Sequence, residues 1–513
     1  MKNPITHLVC LSLAVWLTLN TAIYGQSVDI QTQLDQPIPI ALSDTQTYHL
    51  DIQKDQIAFF KFEQLSSDIV IQVRDPEGKI LMEFDAIDVG PEWVQVVPNR
   101  DGAYQFVVFP YEDQKKDGNY QVTLEKIITK GPTLSAQLDQ MISYWAEKGY
   151  LPGFATALVT KDEVLFQKAY GYASVPQKTP YTVETIQNIG SVSKTLIGIS
   201  LMIAIEEGKL KLEDPVNKYL PYKVVNPNFP EVPITIKQLA NHTSSIAEMD
   251  TYEKTYILKE PFTYKKGDVS KYEYKTAKYY AKNKEMGMAD FLEALLSSEG
   301  SLYKKSHYLK HGPGAKYAYS NAAATLAAHI IEIVYDMSYD DFTSERILEP
   351  LGMTDTGWSF DDIDMSKHAD LHFFNKKVIP RYTLITYPDG GLLTNAKDLS
   401  TYLQAQMKGY FGEGKLISPE SYQHMMEPSL SESQQVRKGR NYGVFWERRG
   451  PMVGHNGGDP GIVCLMRFNA EKEIGRIILT NVIPETRLAN QQLNVVWGLL
   501  NDFGEGIRDE RVK

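Results

Sequence analysis

Apolar and polar residues alternate with a period of two through much of the chain from about residue 28 to 130. Ile69-Val70-Ile71-Gln72-Val73 and Tyr104-Gln105-Phe106-Val107-Val108 are the clearest runs, and this period sets successive side chains on opposite faces of a strand. Asp75-Pro76-Glu77-Gly78, Asp101-Gly102 and Asp117-Gly118 separate such runs, supplying residues that tolerate positive φ or nucleate a bend. Short strands with turns recurring in this way predict a small all-β sandwich over 28–130. After Lys130-Gly131-Pro132 the period changes: Leu134, Leu138, Ile142 and Trp145 follow helical spacing within a helix from Leu134 to Lys148, so a domain boundary is placed there.

Beyond that boundary, Gly153 to Thr160 and Glu163 to Ala169 read as strands. Val192 to about Glu207 reads as a strongly apolar helix stopped by Gly208. Near the end, Ile462 to Phe468 and Gly475 to Asn481 read as buried strands and Gln491 to Phe503 as a closing helix, with 506–513 left as a polar tail. Strands at both ends with helices between them predict an α/β layered domain over about 133–505 whose terminal segments share one sheet. Between Ala247 and His311 a Tyr- and Lys-rich stretch, including Tyr272-Glu273-Tyr274-Lys275 and Lys278-Tyr279-Tyr280, interrupts this plan. It reads as a solvated surface insertion with a helix near Met288 to Leu296, or, more sharply, as a lid that shapes substrate access.

Composition narrows the class. Of 513 residues, 43% are hydrophobic and 23% charged, which fits an ordinary globular protein and excludes disordered, collagenous and polytopic membrane classes. Lys and Arg total 53 against 64 Asp and Glu, a net charge of −11; with no long basic run, nucleic acid is not an expected partner. Residues 1–25 carry Lys2, an apolar stretch from Leu8 to Leu19, and small residues near Ala22 and Gly25. That is the layout of a secretory signal, and the stretch is shorter than the roughly 18 uninterrupted apolar residues a span requires. The expectation is therefore an exported, periplasmic or extracellular protein with no transmembrane span after cleavage. Cleavage would remove Cys10 and leave Cys464 unpaired, so no intramolecular disulfide is expected.

The candidate chemistry begins at Gly190-Ser191-Val192-Ser193-Lys194-Thr195, which introduces the apolar helix. Residues three apart share a helix face, so Ser191 and Lys194 point the same way, with the hydroxyl at the positive end of the helix. A serine hydroxyl needs a base, and a lysine serves as one only when burial or a neighbouring cation lowers its pKa. The spacing alone is weak: Ser301 to Lys304 repeats it in a polar, loop-like context without a following apolar helix. A second stretch, Pro313 to Asn321, leads into an alanine-rich helix, Ala322 to Tyr335, and contains the chain's only Tyr-x-Asn triplet, Tyr319-x-Asn321. A tyrosine acts as a base only beside a cation such as Lys194, and the neighbouring amide suits a substrate carbonyl. A third stretch, Gly454-His455-Asn456-Gly457-Gly458-Asp459-Pro460-Gly461, reads as a glycine-dense turn where a ligand approaches the backbone closely.

Ser-x-x-Lys, Tyr-x-Asn and a third element written Lys-Thr-Gly or His-x-Gly, in this order, resemble the serine β-lactamase-related hydrolases of the class C type, which include D-amino-acid-specific peptidases and esterases. Supporting stretches are Pro152-Gly153-Phe154-Ala155 through Gly171-Tyr172, Leu212 to Val216, Ile234-Thr235-Ile236-Lys237 through His242-Thr243-Ser244, and Gly390-Gly391-Leu392-Leu393. The resemblance implies a β-lactamase/penicillin-binding-type α/β domain, an antiparallel sheet flanked by helices plus a helical subdomain. The 28–130 stretch is similar in pattern to the pre-peptidase C-terminal modules that accompany exported hydrolases. By the same resemblance Ser191 is acylated, Lys194 and Tyr319 share the proton transfers, Asn321 holds the acyl side, and His455 stands at the third element. The backbone amides of Ser191 and Gly458, beside Gly457, form the oxyanion hole, and no metal or organic cofactor is needed.

Two positions depart from the family pattern. His455 stands where many members have Lys, and a His is mostly neutral near pH 7; a substrate carboxylate finds a weaker anchor there, which favours esters or peptide-like amides over β-lactams. Ser245 follows His242-Thr243-Ser244 where Gly is usual, which alters a local turn. Two other classes of function compete. His307 with His311 and His368 with His372 have helical-turn spacing, but without H-E-x-x-H or a Cys cluster they read as solvated histidines rather than metal ligands. The other is a slowly acylating or non-catalytic binding protein, with the sandwich touching cell wall or carbohydrate rather than merely stabilising an enzyme for a small-molecule or peptide-like substrate.

Overall fold

The structure, a computed structural model, describes residues 28–85, 89–112, 116–435 and 437–512; the leader expected over 1–25, with Cys10, lies outside them. The chain forms two compact units that meet in sequence between Lys130 and Gly131.

The first unit is built from two sheets. One has the order Val28–Asp29, Gln46–Ile52, Gly102–Pro110, Ile69–Arg74, Ile80–Phe84; the other runs Pro37–Ile40, Gly118–Thr129, Gln56–Gln64, Gly90–Val96. Their inner faces supply one shared core, in which Phe60 of the second sheet meets Phe106 of the first at 4.7 Å between ring centroids. Tyr48 and Tyr120, one from each sheet, bury their hydroxyls against each other at 2.7 Å, the partner a buried polar group needs. The Asp75 turn forms for a local reason: its carboxylate accepts from Glu77 and Lys79 backbone amides, and Gly78 takes φ +85°.

The second unit is centred on an eight-stranded antiparallel sheet ordered Thr179–Pro180, Val164–Ser174, Gly153–Val159, Ile474–Thr480, Ile462–Asn469, Met452–Asp459, Glu447–Arg449, Arg440–Tyr442. Early and late segments thus pair directly, Gly153–Val159 lying along Ile474–Thr480. Successive residues face opposite sides. Gly475 abuts Leu403 and Met407 of the Ala396–Lys408 helix, while Ile474 meets Gly504 of the Arg487–Val512 helix. Helices therefore cover both faces. The terminal helix runs past the expected end, so residues 506–512 are not a free tail: Ile507 is buried and Arg511 bonds the Val164 and Leu165 carbonyls.

The helical subdomain holds the apolar helix Lys194–Glu206, buried from Lys194 to Ala204, and the helix Asn321–Tyr335 that packs on it. The 247–311 stretch is not a solvated excursion. Tyr256–Leu258 pairs with Tyr382–Leu384, and Ser270 and Glu273 form a capping box on helix Lys271–Tyr280. Helix Met288–Leu296 buries Phe291, Leu292, Leu295 and Leu296 in the main core. The segment's polar composition conceals this because tyrosines bury their rings while their hydroxyls find carboxylates, Tyr280 on Glu253 for example.

Candidate active site

Ser191 lies in a 3-10 turn, Gly190–Ser193, that feeds the Lys194–Glu206 helix. An i to i+3 spacing eclipses side chains in a 3-10 turn, and Lys194 Nζ is 3.0 Å from Ser191 Oγ. The Pro313 to Ser320 loop delivers Tyr319, whose hydroxyl donates to the same Oγ at 2.8 Å across 128 residues of sequence. Ser320 caps the following helix by accepting from the Ala323 amide. Lys194 Nζ also lies 5.3 Å from the Tyr319 ring centroid. Two distant pieces of sequence thus meet on one oxygen. The second Ser-x-x-Lys, Ser301 to Lys304, sits in an exposed turn.

Burial sets the proton inventory. Lys194 has no exposed surface, and desolvation pushes its ammonium below the ordinary lysine value, opposed by Asp389, Glu248 and Asp459. Its amine donates to the Asp389 carbonyl, and the Asp389 carboxylate stands 3.9 Å away. That carboxylate accepts from Thr325 and Tyr252. The Tyr319 phenol is not lowered by Lys194 as its sequence context suggests: burial holds it well above the usual tyrosine value, so it rests protonated and donates to Ser191. His242 lies beside it with its ring tilted by 34°, ring centroids 4.3 Å apart, its Nδ1 accepting from the Ser320 amide.

The stretch read as a glycine-dense turn is a strand, Met452–Asp459, and only Pro460-Gly461 turns, with Gly461 at φ +81°. Pairing with Ile462–Asn469 overrides the weak strand preference of glycine. On its other side the partner strand Glu447–Arg449 ends opposite Gly454, so His455 to Asp459 present an unpaired edge. A two-residue turn makes Asp459 and Ile462 a hydrogen-bonded pair, and alternation leaves Gly458, opposite Val463, with its N–H facing that edge. Gly190, at φ +53°, and Gly457 let the edge press on the Ser191 turn. A Cβ on Gly457 would lie 1.9 Å from Ile189 O and 3.1 Å from Ser191 N.

His455 is buried, and desolvation followed by the nearby Lys194 charge pushes its pKa down to about 3. Its Nδ1 lies 2.7 Å from Asn456 O, a carbonyl that can only accept, so the ring carries its proton there. The Nε2 is left a bare, unpartnered acceptor. Asn321 bonds Glu248 through both its amide N–H and Nδ2, at 3.0 and 3.3 Å. Its buried Oδ1 has no partner, so the open function is an acceptor, suited to a substrate N–H rather than the carbonyl expected from sequence. Ser245 sits at φ +65° with its Oγ accepting from Asn226, which explains why glycine suits that position.

Neither histidine pair shares an α-helix, and two of the four residues are buried rather than solvated. His307 engages Leu295 O and Thr251 Oγ1, and His372 engages Asn481 O and the Val175 amide. Asp389, Tyr252, Glu248 and Tyr256 are site residues that sequence reasoning missed. Only Asp389 carried a signal, the Tyr387-Pro388-Asp389-Gly390-Gly391 turn. Asp459 and His242 lay within quoted motifs without a role.

A serine-bearing turn, a buried lysine and a tyrosine set against the edge of an antiparallel sheet define a serine β-lactamase type of fold and site, and this chain belongs to the Beta-lactamase family, whose model matches residues 138–495. Protein flp of Staphylococcus aureus strain MRSA252 is 25% identical over 388 residues, covering 72% of this chain and 69% of the relative. Penicillin-binding protein 4* of Bacillus subtilis strain 168 is 23% identical over 384 residues, 68% of this chain and 74% of its own. Among solved structures, the octameric penicillin-binding protein homologue from Pyrococcus abyssi aligns with a TM-score of 0.54 at 24% identity, covering 71% of this chain and 77% of that one. A class C beta-lactamase aligns with a TM-score of 0.51 at 19% identity, covering 72% and 96%.

Proposed function

We propose that this chain is an exported serine hydrolase acting through an acyl-enzyme on an ester or peptide-like amide. The observation that carries the reading is the single oxygen of Ser191 within 3.0 Å of Lys194 Nζ and 2.8 Å of the Tyr319 hydroxyl. Lys194, whose ammonium burial makes easier to deprotonate, takes the Ser191 proton in its amine form as Oγ attacks the carbonyl carbon. The amides of Ser191 and Gly458 stabilise the oxyanion, and the Tyr319 phenol gives its proton to the leaving group while recovering one from Lys194. Water then attacks the acyl-enzyme with the same groups acting in reverse. Asn321 Oδ1 accepts an N–H on the substrate.

Charge argues for the substrate class. Lys194 is committed to chemistry, His455 is neutral, and Glu248, Asp389 and Asp459 surround the site, so a substrate carboxylate meets no free cation there among the described residues. Esters and uncharged or cationic amides are therefore preferred over penicillins. A rate panel of p-nitrophenyl esters, D-amino-acid amides and a chromogenic cephalosporin should show ester or amide turnover well above cephalosporin turnover, all lost in Ser191→Ala. Turnover surviving in that variant, or fastest on the cephalosporin, would overturn the reading. Export belongs to the same proposal, with the sandwich in a supporting role; fractionation of producing cells should recover a chain cleaved near Gly25 outside the cytoplasm.

A further inference from the structure

A cavity of about 280 Å³ opens beside Gly458 and Asp459, at the end of the edge strand away from His455. One wall is the 247–311 segment and the other the Phe373 to Tyr382 stretch. Its aromatic lining includes Tyr256, Tyr280 and Tyr382, with Tyr256 stacked on Tyr280 at 4.6 Å and edge-on to Tyr382 at 5.7 Å. Tyr272 and Phe374, 73% and 41% exposed, stand on the same lining. Four carboxylates, Glu253, Glu273, Asp459 and Glu485, share the lining, which holds no lysine or arginine among the described residues. Its one histidine among the described residues, His372, already spends both ring nitrogens on the protein.

Asp459 is the unusual member. It is only 8% exposed, and its Oδ1 accepts from the Tyr256 hydroxyl at 2.5 Å. Its Oδ2 accepts no hydrogen bond and meets no ion-pair partner among the described residues. A carboxylate oxygen left open in a largely buried residue keeps its capacity to accept from a ligand. Aromatic faces attract cations, and a volume of this size admits one ring or a short aliphatic chain.

We propose that this cavity is a specificity subsite for a protonated amine or quaternary ammonium group carried on the substrate arm that runs from Gly458 past Asp459. The cation pairs with the Asp459 and Glu253 carboxylates and lies against the Tyr256 and Tyr382 rings. The inference rests on the hydrolase reading and adds to it the charge of the preferred substrate. Because the subsite begins one residue from the Gly458 amide, a cation seated there holds the scissile carbonyl at the oxyanion donors, so the gain appears in kcat/KM.

The test uses two matched pairs. One is an ω-aminoacyl p-nitrophenyl ester against its neutral straight-chain isostere; the other is a thiocholine ester against its uncharged dimethylbutyl isostere, which places the charge on the leaving group. The full chain should turn over the cationic member of at least one pair about tenfold better in kcat/KM, the scale of one partly desolvated ion pair. That ratio should fall to within about twofold in Asp459→Asn, and likewise in Glu253→Gln, a less buried position should the first variant fold poorly. Reading a ratio cancels any general loss of rate. Burial raises the Asp459 carboxyl to about 7, helped by Asp389 and Glu253 and opposed by Tyr256 and Lys194, with Tyr280 and Tyr382 also facing it. The wild-type ratio should therefore decline as pH falls through that value. Equal rates within both pairs, with ester turnover still dependent on Ser191, would overturn the subsite alone; absence of Ser191-dependent turnover on every ester would overturn the hydrolase reading beneath it.

Discussion

Replacing Gly457 by alanine should disable the site without touching a side chain that does chemistry. The added Cβ would stand 1.9 Å from Ile189 O, where ordinary contact begins at 3.4 Å, so about 3.4 − 1.9 = 1.5 Å of separation must be found. Ile189 O is a backbone atom in the segment that pairs with Leu393–Thr394 through Gln187–Asn188, so it cannot rotate aside. The edge strand must retreat, carrying the Gly458 amide away from Ser191. A misplacement near 1 Å costs roughly 10²-fold in rate, and loss of one oxyanion donor roughly 10²–10³-fold, so kcat/KM on a p-nitrophenyl ester should drop by about that factor. Overpacking should also lower stability by roughly 1–3 kcal/mol. Gly498→Ala is the control: its Cβ meets nothing within 4 Å in the terminal helix, so it should keep full activity and gain up to about 1 kcal/mol. Steady-state kinetics beside thermal melts decide the matter. If Gly457→Ala retained activity within threefold of wild type, the close approach of edge strand and nucleophile turn would not be the basis of the oxyanion site.

Lys194→Arg should lose roughly 10²–10⁴-fold in kcat, because a guanidinium stays charged and cannot take the Ser191 proton. For a neutral ester, kcat/KM should rise with pH as Lys194 is deprotonated, with a midpoint below the ordinary lysine value; His455→Gln should leave that limb in place, since His455 titrates at about 3. Ser245→Gly should be nearly neutral in denaturant melts, because relief of a positive φ, roughly 1 kcal/mol, offsets loss of the Asn226 bond, also about 1 kcal/mol; Ser245→Ala gains no relief and should lose stability. Burial would raise Glu447, yet Arg467, Arg449 and Arg440 outweigh it and hold the carboxyl at about 2. Its contribution is therefore complete above the unfolded value near 4.3 and is lost as pH falls through about 2. Glu447→Gln should flatten that acid limb of stability and cost roughly 3–5 kcal/mol at neutral pH by leaving Arg467 buried without its partner.

The meeting of Ser191 and Lys194 was legible in the sequence because an i to i+3 pair meets through local geometry in either a 3-10 turn or an α-helix. Tyr319 was legible only through its triplet and the helix behind it. Asp389, Glu248 and Tyr252 were not, since each reaches the site through folding, from Asp389 195 residues away to Glu248 beside a partner 73 residues distant. The strand through Gly454 and Gly457-Gly458 hid behind residues that usually mark turns, because sheet pairing outweighs local preference there. The Tyr- and Lys-rich segment hid its burial in amphipathic residues. Tyr256, Tyr280 and Tyr382 look polar in composition and act as aromatic walls in the fold.

The most direct measurement is the site of covalent attachment during turnover. Quenching the enzyme with an ester substrate and analysing its peptides by mass spectrometry should find the acyl group on Ser191, accumulating when water attack is slow, and absent from Ser191→Ala. An acyl group on any other residue, or undiminished turnover in that variant, would contradict the account.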